Sequence, residues 1–153
     1  MKDNQKIVEK SIEKLLSLMG VEANANVSFD ETGETFVVDI EAGDSTGLLI
    51  GKRGDTLLSI QNILSILYKQ ETGEWGKIVV NVGDYRQKEE EYLNNLATSA
   101  AQRAVETGEP QNLYNLKPWQ RRVIHLSLSE DQSVETVSEG EGEDRHLVIS
   151  PKK

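Results

Sequence analysis

From Tyr85 to Glu106 the chain runs without a glycine or proline, and Leu93, Leu96, Ala97, Ala100, Ala101 and Ala104 recur at helical spacing. This pattern predicts one amphipathic helix, about 33 Å long at 1.5 Å per residue, stopped by Gly108. Its apolar face is mostly alanine, so the element that covers it must approach closely. The helix constrains the rest of the chain because a complete set of shorter elements precedes it. A length of 153 residues suits one ordinary domain or two small ones. The completed set puts the boundary near Gly83–Tyr85, giving domains at 1–84 and 85–153.

Before the boundary, Val8, Ile12, Leu15, Leu16 and Met19 mark a helix over residues 3–19, ended by Gly20. Val27 and Phe29 alternate, as do Phe36, Val38 and Ile40, so two strands meet at the DETGE turn. A short helix or turn over 44–50 leads to Gly51-Lys52-Arg53-Gly54. A helix over 55–70 follows, with Leu57, Ile60, Leu64 and Leu67 on one stripe and Ile63 and Ile66 beside it. KIVVNV at 77–82 is β-branched and reads as a strand. Behind the long helix come an extended piece (111–116), a helix opened by Pro118 (118–128) and strands near 133–138 and 145–149, joined by the acidic EGEGED tip. The fold class is α+β: α-β-β-α-α-β, then a small α-β-α-β-β domain.

With no cysteine, the chain has no disulfide, thiolate metal site or thiol nucleophile. No apolar run approaches the ~20 residues that cross a bilayer, and the start lacks the apolar core of a secretory signal, so a cytoplasmic location is expected. Net charge is −9, which opposes binding to a polyanion. The charge is uneven, however. Leu48–Gly54 carries Lys52 and Arg53, and Asn115–Leu128 carries Lys117, Arg121 and Arg122, neither window holding an acid.

At residues 51–54 two glycines let the backbone turn sharply and come close to a sugar-phosphate chain. The next helix points its free N–H groups and positive dipole end there, and Lys52 and Arg53 add charge. Phosphates would lie on the loop, and bases on an apolar floor such as Ile50 and Ile60. The plainer reading is a helix–helix turn with solvated cations. A G-x-x-G string is weak by itself, and Gly73-Glu74-Trp75-Gly76 is an acidic decoy between a helix and a strand. The basic pair, the preceding Leu48-Leu49-Ile50 and the helix-loop-helix setting resemble the KH module, whose loop clamps about four nucleotides of backbone. With the N-terminal α-β, the first domain resembles its type II form.

Arg121 and His125, four apart on a predicted helix, share a face. Arginine offers fixed donors to a phosphate, and histidine donates or accepts a further bond. The plainer reading makes His125 a satisfied helix residue and Arg121 a solvated or salt-bridged one. Trp119 beside them either stacks on a base or packs. The segment QRRVIHLSL, followed by VETVSEGE and RHLVISP, resembles the domain named for a spaced arginine and histidine, R-x-x-x-H. Joined behind a type II KH domain, it resembles the Jag family, also called KhpB or SpoIIIJ-associated proteins, from about residue 5 to Pro151.

The resemblance implies single-stranded RNA binding (or single-stranded DNA), partnership with a small stand-alone KH protein or a second copy, and RNA regulation tied to cell-envelope growth and division. It carries Gly51, Lys52, Arg53 and Gly54 over as the RNA-backbone loop, and Arg121, Arg122, His125 and nearby Lys117 as the second site. Members often begin with a further small domain and charged linker, so residues 1–153 are expected to be a short member or the part behind that segment. The helix start also departs from the family, with Gln120 where a glutamate is usual, making the face more basic.

A catalytic reading lacks parts: there is no H-E-x-x-H, P-loop or nucleophile elbow, and no cofactor is expected. Glu139, Glu141 and Glu143 read as a solvated turn rather than a metal site, and Glu89–Glu91 as solvated surface. The alternative to an RNA binder is a protein-interaction scaffold that pairs with another KH protein or a basic partner.

Overall fold

The computed structural model describes residues 2–153. The chain divides into two compact units, one running through Arg86 and one from Gln87 to Lys153, so the division falls inside the first turn of the long helix. No described helix is long and apolar enough to cross a membrane.

The first unit runs α1 (Lys2–Leu18), β1 (Asn24–Asp30), β2 (Thr35–Glu41), α2 (Thr46–Ile50), α3 (Asp55–Thr72) and β3 (Lys77–Val82). Its sheet has the order β1-β2-β3: β1 and β2 form an antiparallel hairpin, and β3 returns parallel to β2, pairing Val80 with Val38. A parallel return requires a crossover, and residues 42–76, which hold both α2 and α3, supply it. The core gathers Val8, Ile12 and Leu16 of α1 and Ile60, Leu64 and Tyr68 of α3 with Val38, Ile40, Val80 and Val82 of the strands. Each helix contributes residues at i, i+4 and i+8, the stripe a helix lays on a sheet. Tyr68 continues the α3 stripe in place of Leu67, and its hydroxyl accepts a 3.0 Å hydrogen bond from Asn4 Nδ2. Ile63 and Ile66 lie on the exposed side of α3, because the three strands cover only one face of a helix that is apolar on two. β3 is an edge strand, and Gln61 Oε1 accepts from the Val80 N–H at 3.1 Å, closing one of its open donors.

The second unit is built from α4 (Tyr85–Thr107), β4 (Gln111–Leu113), α5 (Pro118–Ser127), β5 (Val134–Glu139) and β6 (His146–Pro151). The sheet order is β4-β6-β5, antiparallel throughout, with the last strand in the centre. Leu93, Ala97, Ala100, Ala101 and Ala104 of α4 form one core with Ile124 and Leu128 of α5 and Val134, Leu147 and Ile149 of the sheet. The small side chains allow the close approach that their spacing predicts. Between β4 and α5 the backbone turns at Asn115, whose φ is +57.

Candidate nucleic-acid interface

The Gly51–Gly54 loop joins α2 to α3. Gly51 has φ +70, and a Cβ there would lie 2.1 Å from Oγ1 and 2.9 Å from the backbone nitrogen of Thr56. Gly54, with φ +77, caps α3 against Tyr85, where a Cβ would stand 2.9 Å from the hydroxyl. Both glycines are therefore required, by conformation and by space. Arg53 between them is left-handed too (φ 54, ψ 30) although it bears a side chain. Such strain costs on the order of 1–3 kcal/mol and gathers at functional sites. Lys52 and Arg53 are exposed. No side chain caps α3, so the positive end of its dipole lies at the loop.

The apolar floor differs from expectation. Ile60 is 2% exposed, with its side chain in the core, so it offers no surface to a base. Ile50 is half-buried against the same core. Leu48 on α2 and Leu58 in the first turns of α3 are the exposed apolar side chains on either side of the loop.

In the second unit, Gln120 is 6% exposed and faces inward. Its Oε1 accepts from the Lys117 backbone N–H at 2.8 Å, and its Nε2 donates to Glu89 Oε1 of α4 at 2.8 Å. This corrects two expectations: Gln120 adds nothing to a basic surface, and Glu89 is a half-buried anchor rather than solvated surface. A buried polar group needs a partner, and here each supplies the other's.

Arg121 and His125 lie one helical turn apart on α5, and both are engaged within the unit. Arg121 is half-buried and donates from Nη1 to the Leu116 carbonyl at 2.7 Å. His125 is exposed, and its Nδ1 shares a short hydrogen bond with Thr136 Oγ1 of β5. A guanidinium has five N–H donors and an imidazole a second nitrogen, so each can tie the helix down and still face a ligand. Arg122 is exposed and Lys117 half-buried. Trp119 keeps 39% of its surface, between the stacking and packing alternatives. Thr136 and the Leu116 carbonyl have no signal in the sequence, since only the fold brings them to α5. Among the described residues no group of three His, Asp or Glu is placed to hold a metal ion.

The second unit's sheet, its two helices and this arginine–histidine helix define a class: residues 91–151 match the R-x-x-x-H domain. Over the whole chain the similar proteins carry one name. A protein named RNA-binding protein KhpB from Clostridium symbiosum is 32% identical over 142 residues, covering 93% of this chain and 64% of that protein. Its namesake from Bacillus subtilis (strain 168) is 33% identical over 135 residues, 87% of this chain and 64% of the relative. The one from Streptococcus pneumoniae serotype 2 (strain D39 / NCTC 7466) is 23% identical over 138 residues, 90% of this chain and 41% of the relative. The chain thus spans just under two thirds of the first two.

Proposed function

We propose that this chain is a Jag/KhpB-family protein that binds single-stranded RNA in the cytoplasm, through a type II KH domain and an R-x-x-x-H domain, as a post-transcriptional regulator linked to cell-envelope growth and division. The observation that carries this reading is the extent of the likeness: proteins named for RNA binding align with 93% of the chain, through both units. The α-β-β-α-α-β order and the strained, glycine-bounded Lys52-Arg53 turn at the start of α3 support a KH loop that holds RNA backbone. Arg121, Arg122, His125 and Lys117 form the second contact. The acidic balance of the chain leaves binding to these two windows, so it should be salt-sensitive.

A direct test changes Lys52 and Arg53 to Asp and measures single-stranded RNA affinity against salt. With three or four phosphates neutralised, the log–log slope of the unaltered protein is expected at about −2 to −3, at ~0.7 per phosphate. The double variant should lose binding and keep its melting temperature. Unchanged affinity in the variant, or binding insensitive to salt, would place the RNA elsewhere.

The exposed Leu18 and Ile63 beside Ile7 and Leu15, on the α1–α3 side of the first unit, favour a second reading, a protein-interaction scaffold. Its partner would be a second copy or a small stand-alone KH protein. Light scattering of the purified chain, with and without RNA, separates the readings: a dimer with no RNA affinity supports the scaffold.

A further inference from the structure

The second unit carries an aromatic feature that phosphate binding does not use. Tyr114, just past β4, stacks on His146 at the start of β6, with ring centroids 4.5 Å apart and planes at 29°. The β4–β6 register brings them together, since Leu113 pairs with Leu147. His146 is pinned, because its Nδ1 donates to the Asp144 carbonyl at 2.9 Å, a bond that fixes both tautomer and ring plane. Tyr114 keeps 57% of its surface exposed, an unusual position for an aromatic ring already held by a neighbour.

The chain direction matters as much as the rings. The left-handed Asn115 turns the backbone directly after Tyr114, and the carbonyl of the next residue, Leu116, is the one that holds Arg121. A flat exposed ring and a guanidinium are thus tied to the same short segment, within the span of neighbouring nucleotides. The charge around the rings has the opposite sign: Glu139 pairs with His146 across the sheet, and Asp144 lies two residues before it. Such surroundings reject a phosphate and leave the uncharged face of a base.

We propose that Tyr114, backed by His146, is a stacking platform for one nucleobase of a single-stranded RNA whose phosphates lie on Arg121 and Arg122. The proposal rests on the RNA-binding reading and adds the base contact that reading lacks in this unit. Stacking on an aromatic ring tolerates any base, because every base presents a π-face. The platform therefore adds affinity with little sequence preference.

The test measures binding of a single-stranded RNA to the whole chain by fluorescence anisotropy across a salt series, for Tyr114→Ala and Tyr114→Phe. Tyr114→Ala should weaken binding about five- to a hundredfold, the usual range for one stacked base. Its salt slope should match that of the unaltered protein, since no phosphate contact is lost. Tyr114→Phe, which keeps the ring, should bind within about twofold of the original. Tyr114→Ala within twofold of the original, a loss in Tyr114→Phe equal to that in Tyr114→Ala, or a slope shallower by about 0.7 would each overturn the platform. If the unaltered protein binds no RNA, the functional reading itself fails and the platform with it.

Discussion

At residue 51 the chain admits one amino acid. A Cβ on Gly51 would lie within bonding range of the Thr56 side chain, and its φ of +70 is unfavourable for any other residue. Gly51→Ala should lower the melting temperature and weaken RNA binding together, because the loop must shift to accommodate the methyl. Arg53 poses the converse case. It bears a side chain in a left-handed conformation that glycine would adopt without strain. Arg53→Gly should hold or raise the melting temperature while weakening RNA binding, a separation expected where strain serves a site. Thermal melts and binding curves on both variants check the pair of outcomes. A fall in melting temperature with Arg53→Gly would mean that the side chain supports the fold.

Between elements, the α4–α5 contact turns on Gln120 and Glu89. Gln120→Glu would set two carboxylates 2.8 Å apart, oxygen to oxygen. Like charge raises the folded-state pKa of such a pair above its unfolded value, near 4.3. The destabilisation should therefore be absent below about pH 4 and complete at neutral pH, on the order of 1–3 kcal/mol. Melts from pH 4 to 7.5 would follow it, and adding Glu89→Gln should restore the loss. A pH-independent deficit would point to packing instead. This contact also marks the limit of what the chain discloses locally. Element order is legible throughout, since glycine, proline and the two hydrophobic periods punctuate every segment. The loop is legible because its residues are contiguous. Gln120 reads as surface because a polar residue on a helix usually is, and its partner lies 31 residues away. Ile60 fits both the core stripe and the RNA surface, and a helix apolar on two faces does not say which face its sheet will cover. Tyr114 and His146 meet only through strand register, which composition does not encode.

For the whole molecule, two weak sites on one chain should act together. RNA long enough to reach both should bind more tightly than a four-nucleotide piece, by ~10²-fold or more if both engage at once. On long RNA, removing either the loop cations or Arg121 and Arg122 should then cost nearly as much as removing both. On short RNA the loop variant alone should abolish binding. Additive losses on long RNA would mean that the sites work independently. The crossover in the first unit has a separate consequence, in time rather than affinity. The Gly51–Gly54 turn lies inside residues 42–76, the segment whose ends meet only when β3 pairs in parallel with β2. The β1–β2 hairpin closes across a short local turn, whereas the crossover must first give up the freedom of a long loop. The turn should thus be among the last parts of the unit to take shape as the chain folds. Substitutions within it should accordingly hasten unfolding and leave the folding rate almost unchanged.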